Sequence, residues 1–196
     1  MKSDRAYVMT ERARSTQETG ERILDAAIAL FAELPYAQLT LRAVADRADV
    51  TVQTVIRRFG DKERLTAAAA VRSREHISTQ RFAAPVGDLP GAVDNLVAHY
   101  EEAGDLALRL LAEEEAAPQL AELAELGRTL HREWCARVFA PTLGSLRGVD
   151  RTRRAAQLVA ICDVYMWKLL RRDAGLSQRQ VATALIEMLE PLTAKG

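Results

Sequence analysis

Between residues 40 and 59 the apolar positions recur every three or four residues on two short stretches. Leu41, Val44, Ala45 and Ala48 fall on one face of a 3.6-residue period, and Val52, Val55, Ile56 and Phe59 on another. A threonine precedes each stretch, Thr40 and Thr51, and its hydroxyl can accept from the orphan amides of a first helical turn. A helix start of this kind also offers amides and a positive dipole end to an anion such as phosphate. Ala48-Asp49-Val50 leaves room only for a turn. The pattern therefore predicts a helix-turn-helix, whose second helix can enter the DNA major groove.

The rest of the chain reads as helices around this motif. Residues 1–15 are polar, with Arg5, Arg12 and Arg14 and no apolar face, and are expected to be a flexible arm. Ile23, Leu24, Ala27, Ile28, Leu30 and Phe31 predict a helix from Thr16 that closes at Leu34-Pro35. After the motif, Gly60-Asp61 breaks the chain, and a longer helix over 61–83 carries Lys62 in its first turn. Pro85, Gly87, Pro90 and Gly91 form the clearest linker. It sets the expected division into an arm (1–15), a DNA-binding domain (16–83) and a helical domain (84–196). Helices are predicted there over 91–103, 105–116, 119–139, 151–173 and 177–192. Strand alternation and repeats do not appear, so the fold class is all-α.

Composition narrows the class. The chain of 196 residues is 48% hydrophobic, 28% charged and 5% aromatic, a helical and globular profile. No apolar run approaches the roughly 20 residues that span a bilayer, and Met-Lys-Ser-Asp-Arg lacks the apolar core of a signal peptide. The expected compartment is the cytoplasm. Net charge is zero, but residues 1–82 hold 14 Lys/Arg against 11 Asp/Glu, and residues 83–196 hold 13 against 16. The sign suits an N-terminal nucleic-acid module on a more acidic body. Cys135 and Cys162 lack metal-ligand spacing and read as a reduced thiol pair. His76, His99 and His131 are scattered, so neither a metal nor another cofactor is expected. No paired nucleophile and base points to an enzyme.

Several blocks resemble the tetracycline-repressor (TetR) family of bacterial transcription regulators. They are Arg22-Ile23-Leu24-Asp25-Ala26-Ala27 with Leu30-Phe31-Ala32, then Leu39 to Ala45, Ala48-Asp49-Val50-Thr51, and Phe59 to Leu65. They cover about residues 17–66. The resemblance implies a homodimer on a palindromic operator that is released when a small molecule fills the C-terminal domain. It also implies that the helix holding Thr51, Val52, Gln53, Thr54, Arg57 and Arg58 reads bases. Gln53 suits an adenine edge, Arg57 or Arg58 a guanine, and the Thr and Val methyls a thymine methyl. Thr40, Arg42 and Lys62 complete the expected DNA contacts, Thr40 and Lys62 by holding phosphates. Two positions depart from the family: Asp49 stands where glycine is common in the turn, and Ile56 where a phosphate-contacting tyrosine is usual.

The second half offers weaker signals. Tyr100, His131, Trp134, Cys135, Phe139, Asp163 and Trp167 combine aromatic rings with a few polar groups, as a largely apolar ligand pocket does. Read singly, each also fits a core or interface position. Asp163 lies in an apolar run, where a carboxylate must reach solvent, a donor or a polar spot. The helices over 151–173 and 177–192 carry more apolar surface than one partner face requires. That surplus predicts a four-helix dimer interface through Leu158, Tyr165, Leu169, Leu185, Met188, Leu189 and Leu192. The rival reading is an architectural DNA binder without an effector, which requires a solidly packed second half.

Overall fold

The computed structural model describes the backbone of residues 2–194 and the side chains of residues 14–194. Its described residues are helical and contain no strand. The order is α1 (Lys2–Glu33), α2 (Leu41–Arg47), α3 (Val52–Phe59), α4 (Lys62–Phe82), α5 (Leu89–Ala112), α6 (Pro118–Val138), α7 (Ala140–Gly144), α8 (Gly148–Ile161), α9 (Val164–Lys168) and α10 (Gln178–Thr193). Two compact units divide between Arg74 and Glu75, inside α4, rather than at the linker after residue 83.

Of the arm expected over 1–15, residues 2–15 are helical backbone and form the start of α1. This stretch has no apolar face, but no proline or glycine precedes Gly20 to interrupt it. Four-residue pairs, Arg14 to Glu18 at 3.0 Å and Gln17 to Glu21 at 3.1 Å, support the helix on its polar surface. The side chains of Arg5 and Arg12 lie outside the described residues.

The N-terminal unit closes on Ile23, Leu30, Leu39, Val44, Val55 and Leu65, each at most 5% exposed. Every helix from α1 to α4 contributes to that cluster. The turn between α2 and α3 passes through Asp49 at φ 53°, the one non-glycine residue in the left-handed region among the described residues. Aspartate tolerates this conformation, whereas a β-branched residue does not. Asp49→Val is expected to lower stability by about 1–2 kcal/mol, and Asp49→Gly to leave it level or slightly raised. Urea titration of the full chain measures both; equal midpoints for Val and Gly would overturn the account.

The C-terminal unit is built on α5, α6, α8, α9 and α10 around Leu96, Trp134, Leu158, Trp167, Leu185 and Leu189, all 0–1% exposed. α5 is one helix, not the two expected over 91–103 and 105–116. Gly104 reads as a break, but it serves close packing: a Cβ there would meet the Trp167 ring at 2.5 Å. The single helix expected over 151–173 is instead broken. Asp163 caps α9, its carboxylate accepting from Tyr165 N at 2.9 Å, and this local bond outcompetes helix continuation. A π-helical turn comes next, over Leu169–Asp173. From it Arg171 bonds Glu101 at 2.9 Å and Arg172 bonds Asp105 at 2.8 Å, tying the segment to α5. Ser177 and Gln180 form a reciprocal capping box at the start of α10.

His99 gives this unit a pH dependence. It is 8% exposed, and burial, reinforced by the charge of Arg81, pushes its imidazole down to about 3. The folded chain keeps His99 neutral while the unfolded chain takes a proton below about 6.5. Its contribution is therefore intact above that value and lost as pH falls. Between pH 7 and pH 5 the wild type is expected to lose about 2 kcal/mol more than His99→Gln. Denaturant titrations at the two pH values check this, and parallel losses would refute it.

Candidate nucleic-acid interface

Capping and burial present α3 with one face in the core and one in solvent. Thr40 Oγ1 accepts from Ala43 N at 3.1 Å to start α2. Thr51 Oγ1 accepts from Thr54 N at 3.2 Å and shares a 2.9 Å hydrogen bond with the Thr54 hydroxyl. Gly60 ends α3 at φ 84°. Val55 is fully buried, with Val52 and Phe59 packed partly beside it. Gln53, Ile56, Arg57 and Arg58 are exposed. Ile56 is 41% exposed and so lies on the outer face.

The structure separates the basic side chains that hold the fold from those that project. Arg47 grips Glu33 with two bonds, 3.0 and 2.6 Å, tying α2 to α1. Those bonds hold the Glu33 carboxyl below the usual carboxylate range. Arg72 grips Asp25 similarly at 2.7 and 3.2 Å. Lys62 donates to the Tyr36 carbonyl, and its ammonium lies 3.8 Å from the Tyr36 ring centroid. Arg58 Nη1 donates to the Thr16 carbonyl at 2.7 Å. The arginine reaches it by crossing Gly20, where a Cβ would meet the guanidinium at 2.2 Å. Arg42 extends toward Asp46 at 4.0 Å with its side chain 84% exposed. Gln53 and Arg57 make no hydrogen bond or ion pair among the described residues.

An open cleft of about 470 Å³ runs between α1 and α3, lined by Thr16, Thr19, Arg22, Thr54, Arg57 and Arg58 among others. The α1 contribution is absent from the sequence reading. Its only signal is the hydroxyl series Ser15, Thr16 and Thr19 leading to Arg22 on a polar helix start. Helical spacing brings Thr19 Oγ1 to the Ser15 carbonyl at 2.8 Å.

In the C-terminal unit the residues read as a pocket are closely packed. Trp134 Nε1 donates to the Arg81 carbonyl at 3.0 Å, Tyr100 Oη to the Cys162 carbonyl at 3.0 Å, and Trp167 Nε1 to Glu101 at 3.0 Å. Cys135 and Phe139 belong to the same buried cluster. His131 contacts the Val159 carbonyl at 3.0 Å, and Asp163 is the α9 cap. The residues read as a dimer face divide. Leu158, Leu185 and Leu189, at 0–1% exposed, belong to the core of their own chain, because α8 and α10 pack against neighbours within the unit. Met188 and Leu192 pack partly against that core. Tyr165 and Leu169 are 52% and 54% exposed.

Two capped helices across a left-handed turn, with the second exposed along its polar side, define a helix-turn-helix protein. Residues 23–69 match the bacterial regulatory proteins of the tetR family. The HTH-type transcriptional repressor KstR of Rhodococcus jostii (strain RHA1) is 40% identical over 68 residues, 35% of this chain and 32% of that protein. The chain thus spans about a third of the length of this curated relative. Over most of its length the fold is similar to that of a transcriptional regulator from Rhodococcus sp. Rha1, with TM-score 0.69 and 20% identity over 88% of this chain and 95% of that one. It is also similar to FadR from Bacillus subtilis in complex with stearoyl-CoA, with TM-score 0.63 and 15% identity over 89% and 97%. Over residues 23–69 the chain is thus similar to the tetR family of bacterial regulatory proteins.

Proposed function

We propose that this protein is a sequence-specific DNA-binding transcriptional repressor that acts as a homodimer and answers to a small-molecule effector. The observation that carries the reading is the outer face of α3. Gln53 and Arg57 project from it with their hydrogen-bonding groups unspent, on a helix fixed by caps and by Val55. In the major groove Gln53 meets an adenine edge and Arg57 a guanine edge. Arg57 takes this role rather than Arg58, whose guanidinium is held on the Thr16 carbonyl. Thr54 and Val52 supply methyls, while Thr40, Thr51 and Arg42 face phosphates from the helix starts. Lys62 reaches a phosphate only by leaving Tyr36.

Dimerisation rests on Tyr165 and Leu169, large apolar side chains in solvent on the α9 segment, with Met188 and Leu192 at the edge of the core. The effector reading rests on the C-terminal unit, whose fold matches that of FadR, a protein solved with stearoyl-CoA. Its aromatic lining of Tyr100, Trp134, Phe139 and Trp167 suits a largely apolar molecule. Because these rings are packed, the effector enters by selecting a more open conformation and shifts binding only by its differential affinity. The same packing also favours a DNA binder without an effector. A thermal-shift screen of amphipathic and apolar compounds separates the two, since only a regulator gains stability from one of them.

The direct test is selection from random duplex DNA, with titration of the selected site at several salt concentrations. A regulator yields a palindromic site and a specific affinity about 10³-fold or more above non-specific binding. Recovery of no common sequence would overturn the reading.

A further inference from the structure

Arg81, in the last turn of α4, is 2% exposed, and no carboxylate pairs with it among the described residues. Its guanidinium lies 4.4 Å from the Trp134 ring centroid and 5.7 Å from that of Tyr100. The aromatic faces attract the charge, but they offer no lone pair in the guanidinium plane. A guanidinium stays charged in any protein, and a buried charge without a counter-ion is costly. The chemistry of the site therefore calls for an anion.

The unspent atoms of Arg81 define the shape of that anion. Arg72 and Arg172 each turn the edge formed by Nε and Nη2 toward both oxygens of one carboxylate. The distances are 2.7 and 3.2 Å on Asp25, and 3.1 and 2.8 Å on Asp105. On Arg81 the same edge is only half used. Nη2 donates to His131 Nδ1 at 3.2 Å, and that nitrogen is unprotonated, because arginine only donates. Nε has no acceptor. Gln80 Oε1 and Asn95 Oδ1 are buried without a donor, yet neither bonds Arg81. Two parallel N–H donors match a carboxylate bidentately. The rings beside them continue outward, Phe139 at 6.2 Å from Trp134 and Trp167 at 5.9 Å from Tyr100 between centroids. A phosphate monoester fits the same edge, but its second charge has no second cation there and costs more to bury.

We propose that Arg81 anchors the head group of the effector, and that the effector is a carboxylic acid with an apolar body. The inference rests on the effector reading above and gives that largely apolar molecule one charge. The carboxylate takes Nε and Nη2 of Arg81 and displaces His131 Nδ1. His131 keeps its bond to the Val159 carbonyl on α8, at 3.0 Å. The body of the acid lies along the Trp134 and Tyr100 rings. Binding thus pairs a buried cation that the free protein leaves without a counter-ion, which favours the conformation able to admit the acid.

The test titrates the full chain at pH 7 with 3-phenylpropionate, decanoate and the primary amide of each, using calorimetry. Wild type is expected to bind at least one acid about 10- to 100-fold more tightly than its amide, as a charge-assisted hydrogen-bonded pair requires. Arg81→Met is expected to lose that preference while its affinity for the amide changes little. Arg81→Lys keeps the charge without the fork and is expected to retain part of the preference. Circular dichroism checks that each variant is folded; where Arg81→Met is not, the wild-type comparison of acid with amide still decides. Equal affinity of wild type for acid and amide would overturn the proposal and leave an uncharged effector in place. Binding of none of the four probes, or an undiminished preference in Arg81→Met, would overturn it too. Tighter binding of hexyl phosphate than of either acid would overturn the carboxylate assignment. The effector reading itself fails differently, by the absence of any stabilising compound in the wider thermal-shift screen.

Discussion

Replacing Gln53 and Arg57 together by alanine is expected to weaken binding to the selected DNA site by about 10²- to 10³-fold. Each bidentate base contact discriminates by about 1–3 kcal/mol, and the double variant removes two. Stability is expected to stay within about 0.5 kcal/mol of wild type, because neither side chain makes a hydrogen bond or ion pair in the folded chain. Non-specific affinity at low salt falls much less, since the phosphate contacts remain. Arg58→Ala offers the sharper contrast. Its guanidinium binds Thr16, so its loss is expected to act by loosening α1 against α3, weakening all sequences alike rather than relaxing one base position. Electrophoretic mobility shifts on matched and single-mismatch duplexes measure these differences. If the double variant kept the wild-type preference at every base pair, α3 would not be the reading helix.

The largest loss of stability is expected from Trp134→Ala. Trp134 is fully buried, lies edge-on to Phe139 at 6.2 Å between centroids, and bonds the Arg81 carbonyl. Truncating a buried tryptophan costs about 3–5 kcal/mol from lost transfer energy and the cavity left behind. The loss here sits at the upper end, because the Arg81 guanidinium also loses the ring it stacks on. A domain of ordinary stability has about 5–15 kcal/mol to lose. The C-terminal unit is therefore expected to melt on the order of 10–20 °C lower. Trp134→Phe keeps a ring beneath Arg81 but not the N–H, and is expected to recover about half of the loss. Calorimetry on the full chain distinguishes the three proteins. A melting curve for Trp134→Ala that matches wild type would mean that this packing does not hold the unit together.

The parts of the fold that sequence makes legible are those fixed by neighbours within a few residues. Thr40 and Thr51 cap the helices they precede, and Asp49 turns left-handed where a glycine is usual; each depends on local chemistry. Residues 2–15 were opaque because a helix can persist without an apolar face when nothing breaks it and four-residue pairs support it. Gly104 read as a stop because its purpose, room for a ring sixty-three positions later, is a tertiary fact. Asp163 lay hidden in an apolar run that suits an unbroken helix, and only its bond to the Tyr165 amide reveals the break. In the interface, residue types pointed to α3 but could not rank its arginines. The long reaches from Arg58 to Thr16 and from Lys62 to Tyr36 decide which cations are committed to the fold.

The wide turn over Leu169–Asp173 bears on how this chain aligns with its relatives. A π-turn holds one residue more than the α-turn it replaces, and such turns are commonly read as single-residue insertions into ordinary helix. Removing one residue there would restore regular winding and swing the chain beyond it by about a hundred degrees. Arg171 and Arg172 could not then both keep their acids on α5. Relatives that lack the extra residue are expected to align with a one-position gap in this segment and to lack at least one of those two ion pairs. The gap would mark a change of winding in a fold that is otherwise retained.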